Sequence, residues 1–258
     1  ENRTLIVRNG YFRRKSDSRK IRRFRCLRCL KYFSFATSHP AFRHNKRHLN
    51  DRIWKLLCSG VSLRRISRLL RISRTTVARK LKYLGQQARQ NSLGHDLTVQ
   101  CSNQIQFDEM ESFEHSKLKP LSIPLAVDKD TRRILGFKVA VMPAKGPLAK
   151  LSRKKYGRRP DERVKARALL FEDIQCFVHP FSHIETDQHS LYSQEIRNLL
   201  PFSRHTAHKG QRGSVVGQGE LKKVRFDPLF SLNHTCAMLR ANVNRLFRKT
   251  WCTTKNRE

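Results

Sequence analysis

Acidic residues are what this 258-residue chain has least of for its size: 20 Asp and Glu stand against 55 Lys and Arg, a formal net charge of +35. It also lacks any long apolar run. The longest, residues 121–127 and 139–142, are strand-sized and interrupted by Ser122 and Pro124 or bounded by Lys138. A membrane span needs about 18 or more apolar residues, so none is expected. No secretory signal pattern opens the chain, since Arg3 and Arg8 bracket its first apolar stretch. The chain starts with Glu1 rather than Met, so a preceding segment is expected. Close cysteine pairs are scarce as well. Of seven cysteines, Cys26 and Cys29 are near neighbours and the rest are scattered, which reads as a reducing, cytoplasmic setting rather than a disulfide framework. No internal repeat is visible.

What is present is a core and a large excess of positive charge. Hydrophobic residues make up 38%, enough to argue against wholesale disorder. A charge this large is normally relieved by a polyanion, and nucleic acid fits better than an acidic membrane, which would call for an amphipathic basic helix with Trp or Phe. The charge is concentrated early. Residues 1–85 hold 25 of the cations and three of the acids. Residues 85–95 (GQQARQNSLGH) are polar and mark a boundary. The expected organisation is a zinc-ribbon-like basic segment over 1–45, a helix-turn-helix over 46–85, a linker over 86–100 and an α/β domain over 101–258.

Residues 49–84 have helical spacing. Ile53, Leu56 and Leu57 share one face of a first helix, which Gly60 can close. Ser62 can cap a second helix over 63–70, with Ile66, Leu69 and Leu70 inward. After a turn at 71–73, Ser73 caps a third helix with Val77, Leu81 and Leu84 inward. That leaves Arg74, Thr75, Thr76, Arg79 and Lys80 outward, where a recognition helix meets base edges and phosphates. A plain three-helix bundle with a solvated face is the blander reading. It does not account for ten Lys or Arg against the single acid Asp51 over 49–84.

Cys26 and Cys29 have the spacing of one zinc knuckle, but a structural zinc needs four ligands. The pair could be half of a ribbon whose other pair precedes Glu1. It could join His44 and His48 in a finger, although the fourteen residues between Cys29 and His44 exceed the usual ~12. Or it could hold no metal. Asn9-Gly10 reads as a turn. In the larger region, residues 105–107, 121–127 and 134–141 read as strands, and the last two form a hairpin around Asp128-Lys129-Asp130-Thr131.

In so basic a chain, acids at strand ends stand out. Asp108 follows residues 105–107, and Asp187 follows the short strand that contains Ile184. Two carboxylates on neighbouring strand ends can hold a pair of Mg2+ or Mn2+ ions about 4 Å apart for phosphodiester chemistry. The bland alternative is a pair of strand-end turn residues. The dense basic run at 145–159 is either a solvated loop or a strand-contacting insertion. Arg240 rides the last helical stretch, residues 229–247, with Leu239, Val243 and Leu246 inward.

The order RFRCLRCLKYFS (23–34), a helix-turn-helix, QFDEMESF (106–113), TDQHSLY (186–192) and LNHTCAMLRANVNRLFRKTWCTTK (232–255) resembles bacterial insertion-sequence transposases of the IS-one type, over nearly the whole chain. The resemblance implies an RNase H-like mixed-sheet catalytic domain with a DDE-type acidic triad. It implies Asp108 as the first acid, Asp187 as the second, and a third near Asn233. Asn can ligate magnesium through its carbonyl oxygen but adds no charge. Glu220 and Asp227 are the alternatives. The expected partners are double-stranded DNA, at element ends and target, and further copies of the chain in a homodimer or higher oligomer. The expected setting is the bacterial cytoplasm, at the nucleoid. The rival expectation is a DNA-binding regulator or a decayed transposase without activity.

Overall fold

The computed structural model describes residues 5–15, 18–39, 41–42, 44–96, 100–209 and 227–246. The chain divides into two compact units, Glu1–Leu57 with Leu63–Gln90, and Cys58–Ser62 with Asn91–Glu258.

The first unit begins with an antiparallel sheet of β1 (Ile6–Arg13), β2 (Lys20–Cys26) and β3 (Tyr32–Phe33). Asn9-Gly10, expected as a turn, is instead a bulge inside β1, where the register with β2 shifts between Arg8 and Tyr11. Gly10 takes φ +63, which a residue without Cβ adopts at little cost, and the Arg23 guanidinium donates to the Asn9 carbonyl at 3.0 Å. The chain reverses later, where the Arg14 N–H bonds the Arg19 carbonyl at 2.9 Å. Phe24 packs on Phe33 and on Phe35 at the start of α1 (Phe35–Ser38).

Three helices follow: α2 (Asn50–Cys58), α3 (Leu63–Leu69) and α4 (Arg74–Asp96). Ile53, Ile66, Ile72 and Val77 are buried among them. The turn between α3 and α4 is held by Ser67, whose hydroxyl donates to the Ile72 carbonyl at 2.7 Å. Ser73 caps α4 by accepting the Thr76 N–H at 3.1 Å, as its position suggested. Two details differ from the spacing argument. Leu69 and Leu81 are exposed, and Lys80 takes the inward place beside Val77. Positions three and four residues along a helix lie to either side of the same line, so spacing alone leaves their order open. In addition, α4 continues through Gly85 to Asp96, into the stretch expected as a linker. Gln86, Gln87, Ala88 and Arg89 are good helix formers and carry it past the glycine.

The second unit is mixed α/β. Its six-stranded sheet runs β6 (Ile134–Phe137), β5 (Pro120–Asp128), β4 (Ser102–Phe113), β8 (Val178–Asp187), β9 (Arg204–His208), with β7 (Ala140–Val141) also pairing with β5. β4, β5 and β6 are antiparallel neighbours, whereas β8 and β9 run parallel to β4. The hairpin expected around residues 128–131 forms. Asp128 Oδ1 accepts from the N–H groups of Asp130 and Thr131 and from the Thr131 hydroxyl.

Side chains alternate across a sheet, so each face has its own core. On one face Ile105, Phe107 and Ala126 pack under α6 (Arg163–Ile174) and α7 (Tyr192–Leu199), through Leu170, Phe171, Ile174 and Ile196. Each such side chain contributes about 1.5–3 kcal/mol on burial. α6 lies so close that a Cβ on Gly136 would sit 2.7 Å from Ile174 and 2.8 Å from Leu170. On the other face Leu125 and Val127 pack with Leu232 of α8 (Phe230–Asn242). α8 is shorter than the helical stretch expected there. It ends at Asn242, and Val243, expected inward, is an extended, exposed C-cap. The basic run at 145–159 is not a loop, because residues 148–156 form α5 (Leu148–Tyr156). Gly157 at φ +74 ends it, and the buried Ser152 hydroxyl ties it to the Leu118 carbonyl at 2.7 Å. No described helix is long and apolar enough to cross a membrane.

Candidate active site

The face of the large sheet that α8 covers is polar along β4, β8 and β9. Gln104, Gln106 and Asp108 alternate onto it from β4. The parallel register sets Gln104 beside His183 and Gln106 beside Glu185, and the next pair, Phe107 with Thr186, points to the opposite face. One residue further, β4 and β8 carry Asp108 and Asp187, and the charge of Asp187 is felt at Asp108. The parallel register thus brings near each other two acids far apart in sequence.

Their environment is strained electrostatically. Burial pushes the Asp108 carboxyl up to about 6; the Glu109 backbone N–H, 2.6 Å from Oδ1, opposes the rise and the charge of Asp187 adds to it. Asp187 Oδ1 accepts the His189 N–H at 3.2 Å. Tyr192 is buried behind the pair, with its ring 4.9 Å from that of Phe107 and 4.5 Å from that of His189. Burial, then the charges of Glu109, Asp108 and Asp187, hold its phenol well above the ordinary range, so it stays protonated and can donate toward Asp108.

Glu109 points to the opposite face. There Arg167, only 1% exposed, joins Glu109 of β4 to Glu195 of α7, with the two Glu195 contacts at 2.6 and 2.7 Å. Burial alone would lower the Arg167 pKa, but its hydrogen bonds to Glu195 and Glu109 outweigh that and raise it. Arg167 is thus an internal tie rather than a surface cation.

Gln106 joins the sheet to α8. Its Nε2 donates to Glu185 Oε2 at 2.9 Å and to the Pro228 carbonyl at 2.7 Å, while its Oε1 accepts the Leu232 N–H at 3.0 Å. Lys129 donates to Glu185 Oε1 at 2.8 Å. Burial pushes the Glu185 carboxyl up, yet the bonds from Lys129 and Gln106 prevail and lower it, so Glu185 remains charged and paired.

Of the third-acid candidates, Asn233 lies exposed on the first turn of α8, and its Nδ2 donates to Asp227 Oδ2 at 2.7 Å. Asp227 also accepts the Leu229 N–H at 2.9 Å and closes the turn before α8, two residues ahead of the N-cap at Leu229. Glu220 lies outside the described residues. One turn beyond Asn233 is Cys236, which the sequence did not single out. Burial raises its thiol pKa, Arg240 opposes the rise, and Asp108 adds to it, which makes Cys236 the point where α8 feels the acidic pair. Arg240 is half-buried and lines a cleft of about 450 Å³ with Glu111, Lys145 and Leu148. No family model matches the chain, and no curated protein matches it.

Among the described residues, no group of three or more His, Cys, Asp and Glu side chains is arranged to hold a metal ion. The Asp108 and Asp187 pair nevertheless has the chemistry a hard divalent cation requires: oxygen donors, one partly buried, repelling each other. In the first unit, hydrogen bonds from the backbone N–H groups of Cys29 and Arg28 and from the Cys29 side chain lower the Cys26 pKa, which favours the thiolate that a soft metal binds. His44, expected as one completion of that site, has its ring 4.6 Å from Tyr83, and burial together with Lys80 and Arg47 disfavours its charged form.

On α4, Arg74, Thr75 and Arg79 are exposed as expected, and Thr76 is half-buried with its hydroxyl 2.8 Å from that of Ser73. Lys80 is the exception. It is 5% exposed, its ammonium has no hydrogen-bond partner among the described residues, and burial followed by the charge of Arg47 lowers its pKa. A side chain in that position cannot reach a phosphate outside, so Lys80 does not take the outward place expected of it.

Proposed function

We propose that the protein is a DNA transposase with an RNase H-like catalytic unit. In this reading the zinc-ribbon-like segment and the helix-turn-helix bind the terminal inverted repeats of a mobile element. The larger unit cleaves at the element ends and joins them to target DNA. The observation that carries the proposal is the juxtaposition of Asp108 and Asp187 on adjacent parallel strands. The sheet order, with three antiparallel strands continued by two parallel ones, supports the RNase H-like assignment. The exposed Arg74, Thr75 and Arg79 support base and phosphate contacts by α4.

Asp108 and Asp187 would hold Mg2+ or Mn2+, with Asn233 or Glu220 as the third member. The bound ions supply charge neutralisation and an activated oxygen nucleophile. The chain's own residues do the rest. Tyr192 closes the site from below as a neutral donor. Arg167 keeps Glu109 on the far face, and Lys129 neutralises Glu185, so neither competes for the ions. Water attack breaks the phosphodiester and leaves a 3′-hydroxyl and a 5′-phosphate. The 3′-hydroxyl then attacks a target phosphodiester, and a target 3′-hydroxyl departs. Joining two ends requires a homodimer or higher oligomer, acting at the bacterial nucleoid.

The test is nicking of supercoiled plasmid DNA with Mg2+ or Mn2+ by the wild type, Asp187→Asn, Asn233→Ala and Glu220→Ala. Metal-dependent nicking by the wild type that disappears in Asp187→Asn is expected, and whichever of the other two is inactive identifies the third ligand. Nicking that survives in both Asp108→Asn and Asp187→Asn overturns the mechanism. The second reading is a DNA-binding regulator or decayed element, which the exposed, uncharged Asn233 favours. It predicts magnesium-independent binding and no nicking by either the wild type or Asn233→Glu.

A further inference from the structure

The first unit carries a large excess of cations over carboxylates among its described residues. Among its described residues Asp51 is the sole carboxylate side chain, and it pairs with Lys55 at 3.0 Å. Two adjoining concavities in this unit, of about 460 and 680 Å³, share Arg14, Ala36 and Arg47 in their walls and together make a two-part basic cleft. Its described lining includes Arg14, Lys15, Arg19, Arg23, Lys46 and Arg47, and no acid. Near it lies the buried ammonium of Lys80, without a hydrogen-bond partner among the described residues. His44 and Arg47, which line the cleft, both lie within electrostatic reach of Lys80. Such a concentration of cations attracts a polyanion.

The cleft is also aromatic. Phe12, Tyr32 and Phe42 line it and are 39%, 54% and 40% exposed. Strand pairing puts Phe12 opposite Ile21 and Tyr32 opposite Arg25, so Phe12, Arg23 and Tyr32 stand on one face of the small sheet. The Arg23 guanidinium lies over the Tyr32 ring at 5.1 Å. Duplex DNA presents phosphates outward but keeps its base faces stacked inside. Exposed rings interleaved with cations suit a strand whose bases are unpaired, since any base has a face to stack.

We propose that this cleft binds unpaired nucleotides of a DNA strand, with bases against Phe12, Tyr32 and Phe42 and phosphates against Arg23, Lys46 and Arg47. The proposal rests on the DNA-binding part of the reading above and is independent of the cleavage chemistry. Its place would be at a frayed or resected DNA end held beside the duplex that α4 contacts.

The test uses the full chain with a labelled blunt duplex and with the same duplex carrying a 3′ overhang of about six nucleotides, within the usual span of such sites. The overhang is expected to tighten binding roughly tenfold. Tyr32→Ala and Phe42→Ala should each remove most of that advantage, read as the ratio of overhang to blunt-duplex affinity for the same variant, while Tyr32→Phe retains it. Photocrosslinking from iododeoxyuridine in the overhang to the wild-type chain needs no substitution and should label the peptides that hold Tyr32 or Phe42. Equal affinity of the wild type for both DNAs, or crosslinks confined to residues 74–80, overturns the inference while the duplex-binding reading stands. Failure to bind either DNA overturns both.

Discussion

The two units treat positive charge in opposite ways. Among the described residues of the first, cations greatly outnumber carboxylates, aromatic rings lie exposed among them, and one ammonium is buried without a hydrogen-bond partner. In the second, the buried cation is consumed internally: Arg167 ties Glu109 to Glu195, and the half-exposed Lys129 holds Glu185. Near the surface, Lys138 pairs with Asp173 and Arg163 with Asp161. The acids left over in the sheet's centre are Asp108 and Asp187. A net charge of +35 therefore describes neither unit. Among the described residues, one carries a large excess of cations, and the other pairs its buried cation internally and leaves a local negative centre.

The contrast breaks most visibly at Arg167. Arg167→Met leaves Glu109 and Glu195 largely buried and unpaired, and should cost about 3–5 kcal/mol in urea unfolding. A cost below 1 kcal/mol would mean that the second unit does not depend on its internal pairing.

Asp108 gives the next largest effect. Its carboxyl stands at about 6 in the folded chain against about 3.9 unfolded, so the folded state binds more protons between those values. Stability from the protonated form is thus complete below pH 4 and lost as pH rises through 6. Asp108→Asn should be more stable than the wild type by about 1–3 kcal/mol at pH 7.5 without divalent ions, and show no such gain near pH 4. Mn2+ should raise the Tm of the wild type and leave that of Asp108→Asn nearly unchanged. A variant that is less stable at pH 7.5 would refute the repulsive centre.

The smallest effect tests the first unit. The Lys80 pKa is lowered on folding, so the unfolded chain holds its proton more tightly and stability rises with pH through the alkaline range below the ordinary lysine value. Lys80→Met should raise stability by about 1 kcal/mol at pH 7, with a gain that shrinks toward pH 10. A fall in Tm instead would show that the ammonium has a favourable partner.

Much of this was legible in the residues. The hairpin around Asp128, the strands leading to Asp108 and Asp187, and the cap at Ser73 follow from local chemistry, which acts over a few residues. What stayed hidden depends on orientation or distance. Helical spacing could not choose between Lys80 and Leu81 for the inner position. Gly10 signals a positive φ but not whether a turn or a bulge uses it. The run of cations at 145–159 concealed good helix formers, and its extension concealed that Arg167 is internal. In the site, Asp108 and Asp187 stood out as rare acids, but their neighbouring positions follow from a strand register that no local pattern encodes. Gln106 and Cys236 fall inside the motifs that carry the resemblance, but nothing in those motifs marks them, and Glu185 falls in none. Glu185 sits two residues before Asp187 on the same face, and alternation along β8 was the one signal that could have found it.

The Gln106 amide has a mechanical consequence. Its donor and acceptor ends grip the start of α8 at Pro228 and Leu232, and it sits two residues before Asp108 on the same strand. The first acid and the helix that carries Asn233 are therefore referenced to one datum, β4. When that strand breathes, both shift together, and the error in their spacing is the tolerance of a single side chain rather than the accumulated play of the loops between them.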